Sequence, residues 1–281
     1  MIVSQLCIYP IKSCQGIQLQ TTEVTAKGLL WDREMMVISQ RGKFLTQRQF
    51  PQLAKVKVQI NDDLVTLSTS DGSLKSITFV PTLQGREIAV EIWQDNTIAI
   101  DQGEQVAQWF HEVLELDSTK QCRLVRQSPQ YNRKVKRKLL GNQSNIVSFA
   151  DSYPCLLTTT ASLKELNRHI LDNYQDASKM ISMDRFRSNI VVETQIPFDE
   201  DHWKMIRIGE VKFTMIKPCS RCIITTVDQQ TGDRDKLKEP LRTLGTFRQF
   251  SEQGVMFGEN MIPSDFGRIS LGDRLEIVAV R

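Results

Sequence analysis

Two cysteines close together in the C-terminal half of the chain are the residues best suited to chemistry. Cys219 and Cys222 lie in the stretch KPCSRCIITTVD, after a segment that predicts a strand ended by Pro218. Lys217 and Arg221 stand beside the thiols, and neighbouring cations favour the thiolate, which is both the nucleophile and the soft metal ligand. The spacing therefore indicates a loop with a reactive or metal-binding sulfur.

Three kinds of site are compatible with this cysteine pair. A structural zinc site needs two more cysteine or histidine ligands, and His111, His169 and His202 are too scattered in sequence to supply them. A thioredoxin-like redox pair belongs at the start of a helix, whereas residues 223–227, IITTV, predict another strand. The third is a single functional thiolate in a positive frame, and the plain alternative is two small residues in an ordinary loop.

Short strands joined by tight turns dominate the prediction for the first hundred residues. AKVKVQI at 54–60 alternates apolar and polar residues, and LVTLST at 64–69 is its hairpin partner. Strands this frequent favour a small antiparallel barrel or sandwich.

Helical patterns interrupt the strands further along the chain. Residues 103–116 and 160–174 have the apolar spacing of helices, the second with a capping box of Ser162 and Glu165, and a short helix is expected around 240–250. Strands return in NIVVE, MIRIGEVKFTMIKP and LEIVAV. The predicted fold is mainly β with some α, of the α+β class.

Composition excludes several classes of protein. The 281 residues are 40% hydrophobic and 25% charged with a net charge of +3, which is ordinary for a globular protein and too small an excess to favour nucleic acid. No apolar run reaches about 18 residues, so no membrane span is expected. The start of the chain is unlike a signal peptide, and we expect reduced cysteines and a cytoplasmic location.

Seven short blocks, in order, resemble one known family, and together they run from residue 9 to residue 261. They are YPIKSC, WDR, TQRQ, DRFRSNIVVE, KPCSRCIITTVDQQTG, EPLRTLGTFR and FGENM. The set closely resembles the MOSC family with an N-terminal β-barrel domain, which includes the mitochondrial amidoxime reducing component and bacterial reductases of N-hydroxylated bases. The resemblance implies a β-barrel-like domain at 1–125 and a strand-rich MOSC domain at 126–281, although the first strands can pack with either unit.

The resemblance also implies a cofactor and the residues that hold it. The cofactor is molybdenum–molybdopterin, not pyridoxal phosphate, and Cys222 is the metal ligand and the catalytic residue, with Cys219 beside it for packing. Arginine and lysine suit the pterin phosphate. The implied cofactor-binding residues are Lys12, Ser13, Arg33, Thr159, Arg187, Asn189, Ser220, Arg221 and Asn260.

Several of these residues have a purely structural alternative. Lys12 could be a solvated loop lysine, and Arg33 could simply pair with Asp32. An ion pair of Asp184 with Arg185 or Arg187 is another possibility. Arg48 is expected near the same cleft without direct contact, and Asp228 is expected to cap the turn that follows it.

By the resemblance, the chain is a molybdenum-dependent oxidoreductase that reduces N-hydroxylated small molecules to amines, amidines or bases. No cysteine follows Cys222, so we expect electrons from a separate protein: a ferredoxin, a flavoprotein or a cytochrome. A cofactor carrier, or a sulfur relay with a persulfide on Cys222, is the alternative. The basic run NRKVKRK at 132–138 could bind nucleic acid, but it is isolated and the net charge is low, so a solvated loop or a docking patch for an acidic electron donor is expected, and we favour the docking patch.

Overall fold

The computed structural model describes residues 1–135, 145–251 and 253–281. Of the predicted docking patch, Lys136, Arg137 and Lys138 therefore lie outside the described residues. No helix in these three ranges is long and apolar enough to cross a membrane.

Strands make up most of the regular structure of the described residues. Before the first helix they are β1 (Ile2–Ile8), β2 (Ile17–Gln18), β3 (Thr21–Thr25), β4 (Gly28–Leu29), β5 (Met35–Ser39), β6 (Val56–Asn61), β7 (Leu64–Thr69), β8 (Ile77–Phe79), β9 (Glu87–Ile92) and β10 (Asp95–Asp101). After helix α1 (Glu104–Val113) come β11 (Cys122–Gln127), β12 (Arg133–Lys134), β13 (Ile146–Val147) and β14 (Cys155–Thr159). After helix α2 (Thr160–Tyr174) come β15 (Ile190–Glu193), β16 (Trp203–Ile208) and β17 (Val211–Ser220). Helix α3 (Leu241–Phe247) precedes β18 (Gln249–Phe250), β19 (Gly254–Pro263), β20 (Gly267–Ser270) and β21 (Leu275–Val280).

The largest sheet joins both ends of the chain. Its strand order is β2-β1-β15-β14-β19-β17-β16-β21, and β18 pairs with β19 beside that path. β1 runs antiparallel to β15, with Ile2 opposite Glu193, and β14 is the parallel neighbour of β15. β3 and β4 form a further sheet with β20. The first strands thus pack with the C-terminal part of the chain, a choice that the sequence left open.

A second β unit forms from the residues between β4 and β12. It contains the sheet β5-β11-β10-β9 and the sheet β6-β7-β8. Val56 and Val58 of β6 turn into its core, whereas Lys57 between them is exposed, as the alternating sequence predicts. Helix α1 buries Trp109 and Phe110 in the same core. The strand-rich N-terminal unit and the mixed α and β architecture are confirmed.

Helix α2 has the predicted bounds but a different cap. Its N-cap is Thr159, whose side-chain oxygen accepts a hydrogen bond from the Ser162 backbone N–H. The predicted capping box of Ser162 and Glu165 is therefore wrong, because the helix already begins at Thr160 and Ser162 lies inside its first turn.

The segment with the cysteine pair also differs from its prediction. Pro218 does not end β17, which continues to Ser220. The pairing with β19 shifts register before and after the proline, so the strand tolerates a residue that has no backbone N–H to donate. The expected strand at 223–227 is a single 3-10 turn at Ile223–Thr226. Cys222 therefore lies between the end of a strand and a tight turn.

Candidate functional site

A cleft of about 230 Å³ opens where β17 and β19 meet the loops that follow β1 and β4. All the predicted site residues except Thr159 line it, although they come from opposite ends of the chain. They are Lys12, Ser13, Arg33, Arg187, Asn189, Ser220, Arg221, Cys222 and Asn260. The fold thus brings together residues that the sequence could associate only through their motifs.

Thr159 has a different position and partner. Its side chain is fully buried and donates to Glu200 Oε2 at 3.0 Å while it caps α2. It is absent from the lining of the cleft, so its geometry gives it a structural role in the helix.

Each cysteine of the pair has its own arginine. Nη2 of Arg48 donates to Sγ of Cys222 at 3.2 Å, and Nη1 of Arg221 donates to Sγ of Cys219 at 3.0 Å. Both thiols are half-buried and line the cleft. Arg48 lines the cleft as expected, and its bond to Cys222 is a contact that the sequence did not predict.

The other cysteines are poorly placed for sulfur chemistry. Burial raises the pKa of Cys14 and of Cys122 to about 12. Burial likewise raises the pKa of Cys7 and of Cys155. A thiol kept protonated in this way is a poor nucleophile and a poor ligand. The candidate sulfur chemistry therefore belongs to the pair at the end of β17.

Lys12 is not a solvated loop lysine. Its ammonium is buried, where it donates to the Phe149 carbonyl at 2.8 Å and pairs with Asp151. Burial lowers the pKa of Lys12, and the Asp151 carboxylate opposes that shift. Burial alone would raise the pKa of Asp151, but Lys12 and Arg48 hold it well below its usual range. This lysine is therefore fixed beside the cleft.

Arg33 ties the N-terminal loops to the segment that precedes β15. It pairs with Asp32 at 2.6 Å, as its structural alternative predicted, but it also donates to Asn189 Oδ1 at 3.0 Å and to the Arg187 carbonyl at 2.9 Å. Its structural and cleft-lining roles therefore coexist.

Two arginines in the cleft have unused capacity for an anion. Arg187 is buried over the ring of Tyr9, 4.2 Å from its centroid, and bonds Gln229 Oε1 at 3.1 Å, but no carboxylate pairs with it in the described part of the chain. Burial lowers the pKa of Arg187. The buried Nε of Arg221 has no hydrogen-bond partner within the described ranges. Such groups are costly to bury unless a ligand satisfies them.

The backbone of the cleft is strained at three of its lining residues. Ser13, Arg33 and Arg187 have φ values of 71°, 51° and 54°, in the left-handed region that L-residues rarely adopt. Each such residue costs roughly 1–3 kcal/mol, and such strain clusters at functional sites.

The acidic neighbours of the cleft hold turns and arginines. Asp228 accepts from the backbone N–H groups of Gln230 and Thr231 at 2.9 and 3.0 Å, which matches its predicted turn role. It also pairs with Arg185 at 3.0 Å. The predicted ion pair of Asp184 is therefore wrong, because Asp184 accepts instead from the hydroxyl of Ser182.

Comparison with known proteins agrees with this geometry. The chain matches the MOSC N-terminal beta barrel domain over residues 1–117 and the MOSC domain over residues 144–276. It is 35% identical over 289 residues to mitochondrial amidoxime-reducing component 1 of Mus musculus, which covers 96% of this chain and 80% of that protein.

The chain belongs to the MOSC family. Its human relative, mitochondrial amidoxime-reducing component 1, is 33% identical over 96% of this chain and 81% of that protein. The molybdenum cofactor sulfurase of rice is 29% identical over 91% of this chain but only 32% of its own length. A function connected with the molybdenum cofactor, and enzymatic activity, follow from these relatives. The N-terminal matched region ends near the predicted boundary at 125, and that boundary stays a prediction.

The residues of this MOSC chain fit the cofactor of its family. A partly exposed cysteine sulfur lies beside the buried Arg187, which has no carboxylate partner among the described residues, and beside Arg221, whose buried Nε has no hydrogen-bond partner there. That combination suits a soft metal and an anionic phosphate. No group of three or more histidine, cysteine, aspartate or glutamate side chains that could hold a metal occurs in the described ranges.

Two contacts at the site escaped the sequence analysis. Arg48 lies in the TQRQ block, and that motif indicated a residue near the site. Its contact with Cys222, however, joins positions 174 residues apart. Asp151, which pairs with Lys12, carries no motif. Neither contact is visible without the fold.

Proposed function

We propose that this MOSC chain is a molybdenum-cofactor-dependent reductase of N-hydroxylated compounds. The observation that carries the proposal is the half-buried sulfur of Cys222, bonded to Arg48, in a cleft whose buried cations lack a full set of carboxylate partners. The amidoxime-reducing relatives suggest the substrate class. An N-hydroxylated substrate would be converted to its parent amine, amidine or base and water, with two electrons and two protons consumed.

Different residues of the cleft would hold different parts of the cofactor. When bound, molybdenum–molybdopterin supplies the two-electron metal chemistry that removes oxygen from the N–O bond. Cys222 would ligate the metal, and Arg48 would stabilise negative charge on its sulfur. Lys12, Arg187 and Arg221 would hold the phosphate, and Ser13, Ser220 and Asn260 would add polar contacts.

A separate protein would deliver the electrons. We propose an acidic ferredoxin, flavoprotein or cytochrome that docks near the described part of the basic run, where Lys134 is exposed. The cytoplasmic location remains an expectation, since the amidoxime-reducing relatives are named as mitochondrial.

The metal content of two matched variants tests the proposal. Wild type, Cys222→Ser and Cys219→Ser are made in a host that synthesises the cofactor, and molybdenum is measured by elemental mass spectrometry. We expect near-stoichiometric metal in wild type and Cys219→Ser and its loss in Cys222→Ser, because only Cys222 would ligate the metal. Equal loss in both variants would move the ligand assignment away from Cys222.

Activity is tested on the same preparations. Loaded wild type, supplied with a chemical reductant, should convert an amidoxime to the amidine, and Cys222→Ser should not. If loaded wild type reduces no N-hydroxylated compound, the substrate class is wrong even though the cofactor site stands.

A cofactor carrier or sulfur relay is the second candidate, because molybdenum cofactor sulfurases are among the relatives. A persulfide on Cys222 would then add one sulfur atom to the peptide that contains it. Mass spectrometry of alkylated peptides from freshly purified protein separates the two candidates: a persulfide on Cys222 in molybdenum-free protein favours the relay.

A further inference from the structure

A second cavity of about 300 Å³ opens beside Cys222. It shares Arg48, Asp151, Ser152, Ser220 and Cys222 with the cofactor cleft, so the two cavities adjoin at the sulfur. Its wall also includes Trp93 and Asp95 from the hairpin of β9 and β10, in the N-terminal β unit. Its volume suits a small organic molecule.

Trp93 is the unusual residue of this wall. The residue is 44% exposed, and its backbone has φ of 56°, a strained conformation for a bulky residue. The indole N–H donates to Asp151 Oδ1 at 3.2 Å, and the ring of Phe44 packs against it with centroids 5.3 Å apart. The ring is therefore held in place, although nearly half of the residue is left uncovered.

Trp93 also connects the wall to the reactive sulfur. The guanidinium of Arg48 lies over the indole, 4.7 Å from its centroid, and the same guanidinium donates to Cys222 Sγ. A flat molecule in the cavity would therefore meet an aromatic surface and a planar donor together, next to the sulfur.

The two carboxylates that line the cavity are both paired. Asp95 pairs with Arg133 at 3.0 Å, and Asp151 pairs with Lys12 and lies 3.7 Å from Arg48. A cationic ligand would find no unpaired carboxylate among the described lining residues, and Lys134 adds an exposed cation to the wall. This environment disfavours a cation and suits a planar molecule with one polar end.

We propose that the second cavity binds the substrate, and that Trp93 selects planar N-hydroxylated compounds such as aryl amidoximes or N-hydroxylated aromatic bases over saturated analogues. The aromatic body lies against Trp93, and the N–OH end points toward Arg48 and Cys222. This assignment rests on the reductase proposed above and names its substrate class.

Two substrates of similar size test the selection by Trp93. Benzamidoxime is flat, whereas cyclohexanecarboxamidoxime has a puckered, saturated ring. In the molybdenum-loaded enzyme with a chemical reductant, we expect Trp93→Leu to raise KM for benzamidoxime about tenfold and to change KM for the cyclohexyl analogue less than about twofold, because only the flat ring loses stacking. Trp93→Phe should restore most of the selectivity. Phe266→Leu, at an aromatic residue that is 64% exposed and outside both cavities, is the matched control.

A binding measurement separates this proposal from the reductase on which it rests. Oxidised enzyme without a reductant does not turn over, so calorimetric titration gives Kd for each amidoxime directly. Wild type and Phe266→Leu should prefer benzamidoxime, and Trp93→Leu should lose that preference while its molybdenum content is unchanged.

If loaded wild type binds benzamidoxime selectively but reduces nothing, the reductase proposal fails and the binding site stands. If Trp93→Leu lowers kcat equally for both substrates with KM unchanged, Trp93 only positions Arg48 and the substrate site is refuted.

Discussion

At the scale of single residues, the interior of the site depends on charges that are buried together. Asp32 is 1% exposed, and burial raises its pKa, a shift that Arg33 opposes. The carboxylate also accepts from the Tyr9 backbone N–H at 2.9 Å. Arg33 in turn lies over the Tyr9 ring, 4.3 Å from its centroid. Each group is therefore tolerable in the interior only because the others are present.

Removal of Arg33 should destabilise the fold strongly. Arg33→Met keeps most of the volume but leaves Asp32 and Asn189 without their partner, and we expect the free energy of unfolding to fall by about 3–5 kcal/mol, as for other broken buried pairs. Urea unfolding measures the change. Arg207→Met is the control, since the pair of Arg207 with Glu276 lies on the surface. An Arg33→Met protein as stable as the control would show that the buried pair carries little stability.

The sequence predicted the chemistry of individual residues better than their contacts. The cations and thiols of the cleft are recognisable by residue type and motif, so Cys222, Arg187 and Arg221 could be chosen in advance. The bond of Arg48 to Cys222 could not, because it depends on how the N-terminal unit is placed over β17. A side chain's type fixes which bonds it can make, and only the fold decides which of them form.

At the scale of elements, α2 and its cap lie behind the cleft. Apolar spacing was sufficient to predict the helix, since Leu166 and Ile170 are fully buried on one face. The cap was mispredicted because Ser162 has the right residue type but belongs to a network with Thr159 and Glu200 that only the tertiary structure creates. Local signals thus predicted the helix and its bounds but not the residue that caps it.

Thr159 offers a test that separates stability from cofactor binding. Thr159→Ala removes the cap of α2 and one hydrogen bond to Glu200, and we expect the free energy of unfolding to fall by about 1–2 kcal/mol. Molybdenum content, measured on the folded protein at low temperature, should match wild type because Thr159 is outside the cleft. Ser13→Ala, which changes a lining residue, is the comparison. Loss of metal in Thr159→Ala at unchanged stability would restore Thr159 as a cofactor contact.

At the scale of the whole molecule, the two ends of the chain meet in one sheet. The pairing of β1 with β15, and of β3 with β20, brings Lys12 and Ser13 to the loop that holds Cys222. Alternation and turns predicted the individual strands well, because those are local properties. They could not predict strand order, since the partners lie far apart in sequence and many pairings bury a similar apolar face.

The same long-range assembly gathers three acidic side chains, Glu200, Asp201 and Glu259, around two arginines. Glu200 and Glu259 are both fully buried, and Glu259 pairs with Arg281 at 2.8 Å while Arg248 pairs with Asp201 at 2.7 Å. Burial raises the pKa of Glu200 and of Glu259 to about 7, and the nearby Asp201 adds to both shifts. Near neutral pH this cluster therefore holds protons that the unfolded chain releases.

The protons of this cluster should make stability fall as pH rises. An acid whose folded pKa is raised binds its proton more tightly in the folded state, so its contribution is complete below about pH 4.5 and is lost as pH rises through about 7. Glu200→Gln keeps the shape without the titration, and we expect the difference in free energy of unfolding between pH 5 and pH 8 to shrink by roughly 1–3 kcal/mol. Urea unfolding at the two pH values measures this difference.

Glu165→Gln is the matched control, because hydrogen bonding from Arg168 lowers the pKa of Glu165 and places its titration below this window. An unchanged difference in Glu200→Gln would mean that Glu200 is ionised in the folded protein already at pH 5.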